Sequence, residues 1–208
     1  CEEIIRYAYH QAGGKIDFGK PDIVKFSINE RLIPQFEEKI LEEKKDSIIV
    51  MDWKGNICEI GKEFTPEYLR NAIDFVTRRW IKCPVESAKD WEDMKKRYDY
   101  SEPSRISNLT DSELYAIRNR DYFLQFHFSG PFWQLREWLG FENLCMYFYD
   151  EPAMIQEMLD FWQDYVSKLL DRAFSVVIPD CVYISEDMAY KCFSMISPEM
   201  AKKFLLPT

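Results

Sequence analysis

The feature that most constrains this chain is a strand–helix–strand pattern in its second half. Residues 122–128, YFLQFHF, predict a buried strand that ends abruptly at 129–131, SGP. A long helix is predicted from Pro152, because apolar residues then recur three or four positions apart. Residues 181–184, CVYI, predict the next strand. Two strands joined by a helical crossover form a βαβ unit of a parallel sheet, so we predict an α/β fold.

The first half predicts shorter elements that elaborate this sheet. We expect a helix over 2–12, a strand over 23–28 and a second helix over 29–45. The β-rich runs 47–53 and 57–60 flank a short turn that contains glycine and asparagine. Two such runs around a tight turn predict a β-hairpin.

Composition excludes several classes of protein. The chain has 208 residues, of which 47% are hydrophobic, enough to bury a core and to rule out disorder as its main state. Its net charge of −9 repels a phosphate backbone, so we expect no nucleic-acid partner. No stretch reaches the ~18–20 apolar residues of a membrane span, so we expect no membrane partner.

Cysteine and histidine usage argues against a structural zinc site. The chain has six cysteines without a CxxC motif, and only two histidines. Irregular cysteine spacing in a chain of this size is typical of reduced thiols in the cytoplasm. We therefore predict a cytoplasmic protein whose cysteines are mostly small hydrophobic residues of the core.

Candidate catalytic residues follow the two predicted parallel strands. Sites in such folds form at the carboxyl ends of strands. His127 lies at the end of the first strand and would bind a ligand or transfer a proton; the alternative is a buried histidine bonded to a backbone carbonyl. Glu186 and Asp187 follow the second strand as a general acid or base, or as a substrate anchor. Their alternative role is helix capping with a structural ion pair.

Candidate binding residues lie at the turn after the first strand. Ser129 and Gly130 lead directly into a predicted helix, whose free N–H groups could hold an anion. Arg136, about one turn further, would add a positive charge, unless it forms a salt bridge with Glu137, Glu142 or a neighbouring helix.

Apolar residues would line the same site. Trp133 and Met188 are the candidates for substrate or cofactor contact, although core packing is the more common use of both residue types. Phosphate-loop, dinucleotide, zincin and α/β-hydrolase motifs are all absent from the sequence.

Three segments resemble the uroporphyrinogen decarboxylase superfamily. Residues 129–140, SGPFWQLREWLG, resemble its "GPF…LRE..G" turn, and 150–152, DEP, resemble the start of its "D.P" helix. Residues 184–207 resemble its "EDM…ISPE.F..F..P" run. The likeness is specific from 129 to 207 and loose before residue 100.

The resemblance implies a (β/α)8 TIM barrel. We then expect residues 1–208 to be its N-terminal portion, with added helices and a hairpin. Residues 1–109 would form the elaboration with the hairpin, and 110–208 would supply the βα units of the barrel.

The resemblance also implies an activity. The sequence lacks the N-terminal arginine-rich motif of true decarboxylases, and Glu186-Asp187 stands where they carry a serine. These departures favour a methyltransferase that moves a methyl group between a corrinoid protein, or a small-molecule donor, and an acceptor in one-carbon metabolism. This branch of the family uses zinc, with ligands that we expect beyond residue 208. The alternatives are a porphyrinogen decarboxylase and a non-catalytic barrel that binds a corrinoid or another ligand.

Overall fold

The computed structural model describes residues 23–71, 78–189 and 191–207, and these residues form two separate sheets. The strands, in chain order, are β1 (Ile23–Lys25), β2 (Lys39–Glu43), β3 (Ser47–Met51), β4 (Ile57–Gly61), β5 (Arg79–Lys82), β6 (Phe123–Ser129) and β7 (Cys181–Ser185). One sheet is parallel, with the order β1-β6-β7, and the other is antiparallel, with the order β2-β3-β4-β5. The helix predicted over 2–12 lies outside the described residues.

The described helices surround and connect these sheets. They are α1 (Pro66–Asn71), α2 (Ala88–Lys95), α3 (Asp111–Arg118), α4 (Pro131–Leu139), α5 (Phe141–Asp150), α6 (Pro152–Val176) and α7 (Pro198–Met200), which a π-helical turn over Ala201–Leu205 extends. Their starts follow local signals in the sequence. Ser87 caps α2, Thr110 and Glu113 form a reciprocal capping box on α3, and proline opens α4 and α6.

The parallel sheet has one apolar and one polar face. Leu124, Phe126 and Phe128 of β6 are buried on the first face. Helix α6 packs there, with the ring of Phe174 stacked 5.7 Å from that of Phe126. The alternate residues of β6 point to the opposite face, as the two-residue period of a strand requires. The predicted βαβ unit is therefore confirmed, with α4, α5 and α6 between β6 and β7.

The expectation of a (β/α)8 barrel is wrong for the described residues. Such a barrel closes eight parallel strands on themselves, whereas the described parallel sheet has three strands and stays open. The hairpin strands bond to each other and to β2 and β5, so they add nothing to the parallel sheet. A βαβ unit is compatible with both open and closed sheets, and the pattern alone could not decide between them. Strand β1, from the predicted elaboration, pairs with β6.

The hairpin is confirmed, but the helix predicted over 29–45 is wrong. Strands β3 and β4 pair in register on either side of a turn in which the Asp52 carboxylate accepts hydrogen bonds from the backbone N–H groups of Lys54 and Asn56. Residues 39–43 instead form β2 and bond to β3. Pro34 explains part of the error, because proline disrupts a helix interior. The rest depends on a sheet partner that local periodicity does not reveal.

An aromatic cluster joins the helices to the apolar face of the parallel sheet. Its members are Trp91, Tyr98, Trp138, Phe161, Trp162 and Tyr165. The Tyr98 hydroxyl accepts a hydrogen bond from the Trp138 indole at 3.0 Å, and the Trp162 indole donates to the Ser129 carbonyl at 3.2 Å, so buried polar atoms of the cluster have partners. Among the described helices, none combines the length and the apolar character needed to cross a membrane.

Candidate functional site

Polar side chains gather on the polar face of the parallel sheet, near the carboxyl ends of its strands. His127 pairs in register with Tyr183 of β7, and Ser129 pairs with Ser185. The His127 Nε2 atom lies 3.0 Å from the Ser185 hydroxyl oxygen. The imidazole also stacks on the Tyr183 ring, with centroids 5.3 Å apart. His127 is therefore oriented by two residues of the neighbouring strand.

The surroundings of His127 favour its neutral form. Partial burial lowers the pKa of the imidazole, and the positive charge of Lys25 on β1 acts in the same direction. A pKa below the usual value of about 6.5 leaves the ring mainly neutral at pH 7. A neutral imidazole can accept a proton, which is the property that a general base needs. The contact with a backbone carbonyl, considered above as an alternative, is not the one observed; the observed partner is a serine hydroxyl.

Glu30 joins this group and was not singled out by the sequence. Its carboxylate accepts hydrogen bonds from Ser129: the backbone N–H donates to the two oxygens at 2.9 and 3.1 Å, and the hydroxyl donates at 2.7 Å. Removal from water raises the pKa of Glu30, and the bonds from Ser129 oppose this rise. Glu30 was missed because it lies in the segment that predicted a helix. Its position shortly after β1, at the carboxyl edge of the sheet, is the signal that could have revealed it.

Glu186 lies at the N-terminus of α4. Its two carboxylate oxygens accept hydrogen bonds from the backbone N–H groups of Phe132, at 2.8 Å, and Trp133, at 2.9 Å. Burial of the carboxylate raises its pKa, and these two bonds act in the opposite direction. The helix N-terminus that the sequence offered to an external anion is thus occupied by an anion of the protein itself.

Asp187 and Arg136 bind each other. The Arg136 guanidinium donates to the Asp187 carboxylate at 2.9 Å and to its backbone carbonyl at 3.1 Å, and it lies 5.0 Å from the centre of a Trp133 ring. The partner of Arg136 is therefore Asp187 rather than Glu137 or Glu142. Met188 is partly buried against the core, and Met195 donates its N–H to the Met188 carbonyl.

Apart from Met188, the predicted site residues thus fall into two contact networks. The first, on the polar face, holds His127 and Ser129, together with Ser185, Tyr183 and Glu30. The second holds the turn before α4, through Glu186, Asp187, Arg136, Gly130 and Trp133. The two networks meet where the Gly130 N–H donates to the Ser185 carbonyl at 2.7 Å. The second network has the capping and ion-pair geometry that a structural role requires, so the first is the better candidate for chemistry.

The described residues do not fit the zinc that the family resemblance implies. No group of three His, Cys, Asp or Glu side chains suitable for a metal occurs in the described ranges. The described cysteines form no disulfide. Burial raises the pKa of both Cys58 and Cys83 to about 11, which keeps these thiols protonated at neutral pH. We derive no chemical step through zinc from these residues.

Comparisons with known proteins leave the family resemblance without independent support. No protein-family model, no curated protein and no solved structure matched the chain.

Proposed function

We propose that this chain acts in the transfer of a methyl group from a corrinoid carried by a partner protein to a small acceptor, with His127 as the general base. The observation that carries the proposal is the contact of the His127 imidazole with the Ser185 hydroxyl, 3.0 Å apart at the carboxyl end of the sheet, where burial and Lys25 lower the pKa of the ring. A base in this position can remove the proton from an acceptor thiol. The setting that we propose is the cytoplasm.

The chemical step needs little more than a base and a defined geometry. The acceptor thiol gives its proton to the imidazole, and the resulting thiolate attacks the methyl carbon. A sulfur–carbon bond forms while the cobalt–carbon bond breaks, and the electron pair of the broken bond stays on cobalt, which becomes Co(I). Ser185 and Tyr183 orient the imidazole, and Glu30 with Ser129 supplies a second acid–base group nearby.

The contacts between the family-like segments support the same proposal. Residues 129–140 and 184–207 are far apart in sequence, yet Glu186 caps α4 and Asp187 binds Arg136. These contacts hold the turn that follows His127 and Ser129. The segments that resemble the family thus brace one end of the proposed site.

Methyl transfer can be measured directly with the full-length protein. Methylcobalamin and 2-mercaptoethanol are incubated with it without oxygen, and Co(I) formation is followed by absorbance while the S-methyl product is detected by mass spectrometry. We expect turnover that depends on His127, with H127Q impaired and the exposed α3 variant R118Q active. Absence of both turnover and corrinoid binding would exclude the proposal. Corrinoid binding without turnover would favour the non-catalytic alternative instead.

Glu30 specifically favours a second candidate, decarboxylation of an acidic substrate such as a porphyrinogen. Loss of carbon dioxide leaves a carbanion that must be protonated, and the raised pKa of Glu30 keeps its carboxyl protonated to a higher pH than usual. Incubation with uroporphyrinogen tests this candidate: coproporphyrinogen should form, and E30Q should form less. Unchanged substrate after prolonged incubation would eliminate decarboxylation of this compound.

A further inference from the structure

Among the described residues, no carboxylate forms an ion pair with the buried arginine at position 105. Only 1% of its surface is exposed, and its guanidinium donates hydrogen bonds to four backbone carbonyls. The acceptors are Asp99 at 2.5 Å, Arg31 at 2.7 Å, and Asn29 and Arg97 at 3.0 Å each. Burying an arginine is costly unless its charge is well solvated by such groups. The guanidinium thereby ties the loop that follows β1, through Asn29 and Arg31, to the segment 97–99 that follows α2.

The same loop is held by a second buried side chain. Tyr165 of α6 donates its hydroxyl hydrogen to the Glu30 carbonyl at 3.1 Å, and the Arg105 guanidinium lies 5.1 Å from the centre of the Tyr165 ring. Three consecutive carbonyls, those of Asn29, Glu30 and Arg31, are therefore bound by two buried side chains. In addition, the Asn29 N–H donates to the Arg105 carbonyl at 2.7 Å.

These bonds fix the main chain from which the Glu30 carboxylate reaches Ser129. We propose that Arg105 is a positioning residue of the site: by holding the carbonyls on both sides of Glu30, it keeps the Glu30 carboxylate on Ser129. The catalytic consequence of this inference rests on the proposed function, whereas the geometry does not depend on it. Preorganising an acid–base group in this way removes motion that the reaction would otherwise have to overcome.

The substitution R105K tests this role, because lysine retains the charge but cannot donate to four carbonyls at once. The readout is the pKa of Glu30, measured from its carboxyl ¹³C shift during a pH titration and assigned with E30Q. We expect the raised pKa of the wild-type carboxyl to move back towards the ordinary glutamate value in R105K, because the carboxylate would leave Ser129 for water. A wild-type pKa in folded R105K would overturn the proposal.

A matched control separates positioning from general stability. Arg120 is also a mostly buried arginine that bonds backbone carbonyls, those of Ile117 and Ile178, but it lies against Asp180 rather than the Glu30 loop. R120K should lower stability and leave the Glu30 pKa unchanged; an equal change in R120K would show that the effect of R105K is not specific and would overturn the proposal.

A second, less disruptive substitution tests the same role if R105K does not fold. Y165F removes only the hydroxyl that binds the Glu30 carbonyl, and it should move the Glu30 pKa in the same direction by a smaller amount. An unchanged pKa in Y165F would contradict the proposal. Because the titration requires no turnover, failure of the methyl-transfer assay leaves this result standing. Where turnover exists, R105K should lower kcat with little change in KM.

Discussion

Gly130 leaves open the space that the Glu186 carboxylate occupies. A Cβ atom at position 130 would lie 2.3 Å from the Glu186 carboxyl carbon, far inside van der Waals contact. The backbone at Gly130 has φ of −73°, which any residue can adopt, so the requirement for glycine is steric and does not concern the backbone. Glycine at this turn allows the carboxylate to approach the first N–H groups of α4.

The substitution G130A should therefore displace Glu186 from the helix N-terminus. Overpacking of this kind typically costs roughly 1–3 kcal/mol, and urea unfolding measures the loss. A double-mutant cycle with E186A gives the control, because the cost of G130A should shrink once the carboxylate is gone. An equal cost in both backgrounds would show that Glu186 is not the obstacle.

The elements around Gly130 and Glu186 differ in how well the sequence alone predicts them. The strand, the turn and α4 were predictable from local patterns around residues 122–139, because hydrophobic period, proline and glycine act over a few residues. The sequence also singled out the acidic pair Glu186-Asp187 directly after β7. Helix capping with an ion pair was the alternative role that the sequence offered, and it is the one observed. The partners themselves were not predictable, because those of Glu186 lie more than fifty residues earlier and are backbone N–H groups, which carry no sequence signal.

Long-range strand pairing explains the other failures. Glu30 reaches Ser129 across 99 residues, and β2 depends on β3 for its hydrogen bonds. The segment 29–45 contains enough helix-forming residues to suggest a helix, and tertiary pairing overrides that preference. The barrel expectation failed for a related reason: a single βαβ unit does not specify how many strands join the sheet.

The hairpin turn offers a prediction on stability. Asp52 is 3% exposed, and its carboxylate accepts the N–H groups of Lys54 and Asn56 at 2.9 Å each. D52A would leave these donors without their acceptor in a buried turn, at a cost of about 1–3 kcal/mol for each unsatisfied group. D52N retains a side-chain oxygen and should cost less. Urea unfolding of both variants measures the difference, and equal losses would contradict the assigned role.

The raised pKa of Glu30 predicts a pH dependence of stability. The folded protein holds the Glu30 proton more tightly than the unfolded chain does. This contribution is fully present below the unfolded pKa, near 4.5, and is lost as the pH rises through the higher folded pKa. Because glutamine cannot ionise, the unfolding free energy of E30Q should fall less between pH 4 and pH 7 than that of the wild type.

Glu113 provides a control of opposite sign for that measurement. Its bonds to Thr110 lower the pKa of its carboxyl, so its contribution appears as the pH rises and is lost in acid. E113Q should therefore lose stability relative to the wild type at pH 7 and approach it in acid. If E30Q and E113Q changed the pH dependence in the same direction, the assigned environment of Glu30 would be wrong.

His127 gives the prediction that bears most directly on function. A general base works only when neutral, and burial together with Lys25 lowers the pKa of this imidazole below its usual value of 6.5. The rate of methyl transfer should therefore decline at a lower pH than it would with a histidine of ordinary pKa. H127Q should lower the rate by about 10²–10⁴-fold and abolish the decline.

K25Q should move the decline to higher pH, because it removes a positive charge that disfavours the imidazolium. A decline that is identical in wild type, K25Q and H127Q would assign the titrating group to the acceptor and not to His127.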